Sequence, residues 1–266
     1  MQEHTQLQAV SPLKTITAAL MVKDEEGMIE QCLEALRWAD EIVVLDSGSQ
    51  DRTVEIARQY TDKIFVNDDW QGFGAQRQRL HDLCSGDWIL MVDADEIVSS
   101  DLAANITSLR QDQGCDRAFR IRWQTHVFGK ALRFGGWCSY KLCLYPREQG
   151  CWDPGIKVHE RLTLNDGIRV DKIEDRLHHY SYRDMEDYLV KSARYAAVFA
   201  EQRAAKGKQA SLRQAFLHGL GLFIKMYLLR GGFLDGRHGL LMALLSTHSC
   251  FVKYADLWSR TKALKR

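Results

Sequence analysis

Three short stretches of this 266-residue chain set carboxylates at intervals suited to a phosphate-bearing ligand: Lys23-Asp24-Glu25-Glu26, Asp46-Ser47-Gly48-Ser49-Gln50-Asp51 and Asp93-Ala94-Asp95-Glu96. Side chains at i and i+2 of an extended backbone point to the same side, so Asp93 and Asp95 are expected to reach one hard cation, directly or through water. Oxygen ligands select Mg2+ or Mn2+. The competing reading is an acidic turn that caps the next helix. The buried run Trp88-Ile89-Leu90-Met91-Val92 directly before the pair favours the cation. Asp46 ahead of a glycine-containing turn suits hydrogen bonding to a nucleoside, while Ser49 or Asp51 also serves as a helix N-cap. Gly72-Phe73-Gly74-Ala75-Gln76-Arg77 has arginine where a dinucleotide loop has its third glycine, and no strand directly precedes it, so that reading is rejected. Arg77 then offers either a cation near a diphosphate or a plain surface arginine.

These residues need elements to place them. Ile16 to Val22 reads as a buried strand, followed by helical spacing at Met28, Ile29, Cys32, Leu33 and Leu36. Glu41 to Leu45, Lys63 to Val66 and Trp88 to Val92 read as further strands, with helices at Thr53 to Tyr60 and Ala75 to Leu83. The resulting βαβαβαβ order predicts an α/β fold with a mainly parallel sheet. In such a sheet, ligands bind beyond the carboxyl ends of the strands, where the three acidic stretches fall. Their mutual repulsion there calls for a cation or a donor-rich ligand. Cys115 to Leu164 loses the rhythm and reads as mixed strands and loops closing over the sheet. From Asp184 the pattern turns helical, with Met185, Tyr188, Leu189, Ser192, Ala196, Phe199 and Ala200 on one stripe. The expected organisation is a polar tail over 1–13, a catalytic domain over 14–183 and a basic amphipathic helical region over 184–266.

Composition narrows the classes. At 45% hydrophobic residues with three prolines, the chain is expected to bury a full core. Seven cysteines without a CxxC pair, and no basic-then-apolar leader, point to a reducing, cytoplasmic setting. Cys138, Cys143 and Cys151 lack paired zinc spacing and read as free thiols. There is no HExxH, GxSxG or P-loop. A phosphatase with an aspartate nucleophile is disfavoured by Glu96 and Ile97 after the pair. The net charge of +1 conceals an asymmetry: residues 201–266 carry twelve Lys/Arg against three Asp/Glu, and residues 1–200 carry 24 against 32. Ala215 to Leu229 and Gly239 to Val252 are apolar but short of the roughly 20 residues that span a bilayer. They read as helices lying in a membrane interface, or as a subdomain packed on the core or on a second copy.

The ordered set Met21-Val22-Lys23-Asp24-Glu25-Glu26, Val44-Leu45-Asp46-Ser47-Gly48-Ser49-Gln50-Asp51-Arg52-Thr53 and Gly86-Asp87-Trp88-Ile89-Leu90-Met91-Val92-Asp93-Ala94-Asp95-Glu96 resembles family 2 glycosyltransferases of the GT-A fold. Val158-His159-Glu160-Arg161, His179-Tyr180-Ser181-Tyr182 and Gly231-Gly232-Phe233-Leu234-Asp235-Gly236 resemble, more narrowly, lipopolysaccharide inner-core β-1,4-glucosyltransferases. The resemblance implies that Asp46 contacts the nucleoside, that Arg77 precedes the helix under the donor, and that Asp93 and Asp95 form the metal motif. Gly135-Gly136-Trp137 matches a glycine loop near the donor sugar, Glu160 the catalytic base, and His179 a C-terminal metal ligand. His178 competes with His179 for that role, because neighbours on a strand face opposite sides. With Lys23, Glu25 and Gln76 these make up the candidate nucleotide-sugar site. Gln78 departs from the family pattern, which has asparagine after the arginine.

The implied activity is an inverting transfer of a hexose, glucose from UDP-glucose, onto the heptose of a lipid-linked lipopolysaccharide inner core. It would use Mg2+ or Mn2+, act peripherally at the cytoplasmic face of the inner membrane and engage no nucleic acid. Glu160 fits a base by chemistry too, since inversion needs one carboxylate on the acceptor hydroxyl. Its alternative is an ion pair with Arg161 or Lys157. Two other functions stay open: the same chemistry on a polyprenyl-linked or capsular acceptor, and a non-catalytic membrane-associated binding protein with a GT-A fold.

Overall fold

Four apolar runs become the first four strands, β1 (Ile16–Val22), β2 (Glu41–Asp46), β3 (Ile64–Val66) and β4 (Trp88–Asp93), in the spatial order β3-β2-β1-β4 and all parallel. In β1, β2 and β4 nearly every side chain is buried, as expected of strands covered on both faces. Parallel neighbours need crossovers, supplied by helices α1 (Ile29–Glu34), α2 (Thr53–Ala57) and α3 (Phe73–Leu83). The pairing Val22↔Asp46 and Met21↔Asp93 brings the acidic ends of β2 and β4 to one edge, on either side of β1.

The computed structural model describes residues 12–111, 114–156 and 160–263. Most of the expected N-terminal tail therefore lies outside the described residues, as do Val158 and His159. Beyond β4 come β5 (Glu96–Val98), α4 (Ser100–Ser108), β6 (Arg117–Val127), β7 (Lys130–Ala131), β8 (Cys138–Pro146), β9 (Gly150–Trp152), β10 (Leu162–Leu164) and β11 (Arg169–Tyr182). The main sheet continues β4-β8-β6-β11-β5 with β7 on β6, and β8 joins β4 antiparallel. β9 and β10 form a separate antiparallel pair. The result is a mixed α/β fold whose sheet is parallel through its first four strands and whose C-terminal region is helical. β5 and α4 have no counterpart in the sequence reading, and of the 14-residue β11 it placed on a strand the neighbours His178 and His179 alone. In β11 only Ile173 and Leu177 are buried, so alternation is too sparse to mark a strand.

The chain divides into two units, one running to Arg122 and resuming over Tyr140–Leu177, the other made of Trp123–Ser139 and His178 onward. The second unit contains α5 (Met185–Ala205), α6 (Leu212–Phe223), a π-helical continuation Ile224–Leu229 and α7 (Gly236–Ala263). Asp184 and Ser211 cap α5 and α6 through the amides of Asp187 and Gln214. Val127, Leu132, Tyr188 and Met242 form its core. The buried stripe of α5 is Tyr188, Ser192, Ala196 and Ala200, narrower than expected, since Met185 and Leu189 are exposed.

At the amino end of the sheet, Glu41 accepts from Ser85 N (2.8 Å), Ser85 Oγ (2.7 Å), Thr17 Oγ1 and Lys63 Nζ, tying β1, β2, β3 and the α3–β4 loop together. Burial pushes its carboxyl up, but these donors outweigh it and hold the group at about 2. A carboxylate lower in the folded than in the unfolded chain stabilises the fold above its unfolded value, about 4.3, and loses that contribution as pH falls toward 2. Glu41→Gln is therefore expected to melt below wild type at neutral pH. The gap should close as the pH of the thermal melts is lowered from about 4.3 toward 2; a gap that does not change with pH would contradict this role.

Candidate active site

Asp93, the last residue of β4, is held by two cations. Its Oδ1 accepts from Arg77 Nη2 at 2.5 Å and its Oδ2 from Lys141 Nζ at 2.7 Å. Lys141 also donates to both oxygens of Glu96 at 2.7 Å, and Glu96 Oε2 accepts from the Asp93 amide at 2.9 Å. Glu96 is fully buried. Burial raises the Asp93 carboxyl, but the charges of Arg77 and Lys141 reverse that and hold it well below the usual carboxylate range. For Glu96 burial wins over Lys141, and the nearby Asp93 charge adds to it, so its carboxyl is raised. Burial would lower Lys141, yet Asp93 and Glu96 keep its ammonium firmly protonated.

Arg77 joins this cluster to Glu160. Its Nε lies 3.5 Å from Glu160 Oε1, and its side chain is only 7% exposed. Its guanidinium carbon sits 5.7 Å from the Trp152 ring centroid. Nε and Nη1 are buried with no hydrogen-bond partner. Glu160 thus pairs with Arg77, an alternative to the expected surface pairing with Arg161; Lys157 lies outside the described residues. The chain turn 153–156 that leads toward Glu160 is seated on the start of α3: Gly74 N donates to Ile156 O at 3.0 Å, and a methyl group on Gly74 would fall 2.1 Å from Asp153 O. Gln78, the departure from the family pattern, accepts from Trp152 N at 2.7 Å and so fixes the backbone beside Arg77.

The acidic strand ends are satisfied differently from expectation. Asp46 is 2% exposed, and its carboxylate accepts from Gly48 N, Ser49 N and Ser49 Oγ, closing the turn after β2. Asp24 accepts from Gln50 N at 2.7 Å, and Glu25 N donates to Thr53 Oγ1 at 2.7 Å. Backbone amides thus offset much of the anticipated repulsion. Lys23 is exposed. Gln76 is fully buried, and its amide nitrogen donates to Ser47 Oγ (3.0 Å) and Asn67 O (2.9 Å), joining the ends of β2 and β3 to α3.

Gly135, Gly136 and Trp137 belong to the second unit. Both glycines have positive φ, +69° and +94°. Gly135 N donates to Arg230 O at 2.9 Å, and Trp137 packs against the core around Tyr188. Asp235, from the Gly-Gly-Phe-Leu-Asp-Gly stretch, is buried and accepts from Arg133 N and Phe134 N. His179 lies in the same unit, stacked on Trp123 with ring centroids 4.2 Å apart and with Nδ1 2.7 Å from Ser181 Oγ. His178 Nδ1 instead meets His126 Nε2 at 2.9 Å. The two neighbours thus have different partners, as opposite-facing strand residues should.

Ala94 and Asp95 form a turn between β4 and β5, so the Asp93–Asp95 pair does not lie on extended backbone as anticipated. Asp95 supplies hard oxygen donors that suit Mg2+ or Mn2+. Among the described residues, no three His, Cys, Asp or Glu side chains converge as a ligand set. The donors present fit a cation that takes one or two carboxylates and completes its shell with diphosphate oxygens and water. Lys141 escaped the sequence reading. The available signal was a lone cation in register with buried Cys143 and Tyr145 on β8, which implies an acidic partner in the interior.

The profile of the family described as glycosyl transferase family 2 matches residues 17–159. The chain is similar to an uncharacterized glycosyltransferase of Rickettsia bellii, 26% identical over 92% of this chain and 86% of the relative. It is also similar to the lipopolysaccharide core biosynthesis glycosyltransferase LpsC of Rhizobium meliloti, 24% identical over 94% of each chain. Among solved structures it is similar to S. aureus TarS residues 1–349, at 14% identity and a TM-score of 0.48, covering 95% of this chain and 92% of that one.

Removing Lys141 strands a buried Glu96 carboxylate without its cation. Lys141→Met is expected to cost about 3 kcal/mol, the scale for breaking a buried pair. Adding Glu96→Gln should recover part of the loss. Urea melts of the single and double variants check this, and additive losses would refute the pairing.

Proposed function

Because this chain belongs to glycosyl transferase family 2, we propose that it is an inverting, metal-dependent hexosyltransferase that moves glucose from UDP-glucose onto the heptose of a lipid-linked lipopolysaccharide inner core. The observation that carries the reading is the Arg77 guanidinium, which ties Asp93 at the donor edge of the sheet to Glu160. The two groups an inverting transfer must coordinate, a donor anchor and a base, thereby sit on one rigid cation. The similarity to the lipopolysaccharide core glycosyltransferase along nearly all of both chains supports the choice of acceptor.

In this reading Glu160 takes the proton of the acceptor hydroxyl as its oxygen bonds to the anomeric carbon and the bond to UDP breaks on the opposite face. Asp95 and Asp93 would hold Mg2+ or Mn2+, with diphosphate oxygens and water completing the shell. The ion supplies charge neutralisation to the departing diphosphate in place of a general acid. Asp46, Gln76, Lys23 and Glu25 are assigned to the nucleoside end, the buried pair Asp46 and Gln76 by shaping the turn after β2. Gly135, Gly136 and Trp137 are assigned to the sugar. Residues 14–183 form the catalytic domain, and the region from 184 onward keeps the enzyme peripheral at the cytoplasmic face of the inner membrane. Among the described residues, no helix is long and apolar enough to cross a membrane.

UDP release from UDP-glucose, with and without heptose-bearing lipid, tests the reading. Glu160→Gln is expected to reduce transfer at least about a hundredfold, the usual scale for a lost general base, and Asp95→Ala to reduce it by weakening the hold on the ion. Chelation with EDTA should abolish transfer, and Mg2+ or Mn2+ should restore it. Undiminished transfer by either variant removes that residue from its role, and full activity in EDTA removes the metal.

A further inference from the structure

Helix α6 has its amphipathic pattern inverted. The positions it buries are small, Ala215 and Gly219, and Met226 follows in the π-helical continuation. Gly219 lies against α7 so closely that a methyl group there would fall 3.3 Å from Thr247 O. Its outward positions are large and apolar: Phe216 is 61% exposed, Leu217 52% and Leu220 43%. The face continues through Leu228 and Leu229, the latter 78% exposed, and Leu234 at 58%. A helix pair in water normally keeps its large apolar residues inside. Small residues between helices and large ones outside is the pattern of helices whose surroundings are lipid. Between α6 and α7 a cavity of about 450 Å3, lined by Phe216, Leu220, Phe223, Leu244 and Phe251, opens on the same apolar surface.

The charges along the segment that carries this face have one sign. From 202 to 234 the sequence contains six Lys/Arg and no Asp or Glu. Arg213 and Lys225 are exposed. Asp235, the next acid, is buried and spent on the Arg133 and Phe134 amides, so it cancels none of the surface charge. Neither helix is long and apolar enough to span a bilayer.

We propose that the outer face of α6 and the loop through Leu234 is a docking surface for an anionic lipid bilayer, lying in the interface with its apolar side chains among the acyl chains and its cations at the headgroups. This rests on the membrane-peripheral part of the reading above and gives it a place in the molecule. The occupant is a bilayer and not a second copy of the chain, because two such faces would bring their excess cations together.

Sedimentation of the full chain with vesicles tests it, using phosphatidylcholine alone and phosphatidylcholine mixed with phosphatidylglycerol. Wild type should bind the anionic vesicles, and binding should fall steeply with added salt. Arg213→Glu/Lys225→Glu should weaken that binding by at least about 25-fold, from about fivefold per cation near the surface. Leu229→Ser/Leu234→Ser should weaken it comparably without altering its salt dependence. Both variants should hydrolyse UDP-glucose in vesicle-free buffer at the wild-type rate, which shows that they fold. Wild type that stays in solution, or variants that bind as it does, overturn the proposal. A concentration-dependent dimer abolished by the leucine substitutions also overturns it, in favour of self-association. Vesicle binding without any hydrolysis would sink the enzymatic reading and leave the docking surface standing.

Discussion

The Arg77 guanidinium is the constraint around which the candidate site is built. A cation that is 7% exposed is stable only if anions accompany it, and Asp93 and Glu160 reach it from stretches 67 residues apart in sequence. Burial alone would lower its affinity for the proton; Asp93 first, then Glu160 and Glu96, raise it again, so the charge is permanent. Each surrounding feature serves that placement. Gly74 lets the chain at Asp153 to Ile156 lie on α3, Gln78 holds Trp152 at its backbone, and Trp152 turns its ring toward the guanidinium. Lys141 then neutralises what Arg77 leaves, the second oxygen of Asp93 and the carboxylate of Glu96.

How much of this was legible depends on the range of the interactions. β1, β2 and β4 were readable because strands buried on both faces are uninterrupted apolar runs, and the acids that end them follow at once. The convergence of Asp46 and Asp93 followed from parallel order alone, and the register bears it out. Lys141 was missed because its partners lie 48 and 45 residues away, and the local hint was confined to its register with buried Cys143 and Tyr145. β11 was missed except at His178 and His179 for another reason: with two buried residues in fourteen, it is a strand by pairing and not by hydrophobic pattern. Gln76 read as a donor contact, while its amide nitrogen is engaged within the protein, with Ser47 and Asn67.

In the second unit the same logic works through backbone groups. The Gly231 to Gly236 stretch acts as a clasp: Asp235 gathers the Arg133 and Phe134 amides, Lys130 donates to its carbonyl at 2.9 Å, and Arg230 O receives Gly135 N. Gly232 and Gly239 make the clasp possible, because a methyl group on Gly239 would overlap Gly232 O at 1.8 Å. A conformationally free Gly135-Gly136 pair is thereby fixed by one buried carboxylate. That carboxylate cannot also balance the lysines and arginines around it, so ordering the glycine loop and leaving the neighbouring surface cationic are two results of one choice.

The electrostatics of the strand ends follow from how their acids are partnered. Repulsion among Asp24, Asp46 and Asp93 would demand a bound cation if the carboxylates faced one another in solvent. Instead Asp24 and Asp46 each accept from backbone amides of the neighbouring turn, and Asp93 lies between two side-chain cations. The edge holds together through these backbone and side-chain donors. Arg77 keeps two donors without hydrogen bonds, Nε and Nη1, and a buried unsatisfied donor costs about 1–3 kcal/mol. Glu160 stands 3.5 Å from the first of them, beyond a good hydrogen bond but within the reach of a small shift of its side chain. The tension therefore sits at the contact between the permanent cation and the Glu160 carboxylate, where a small shift would relieve it.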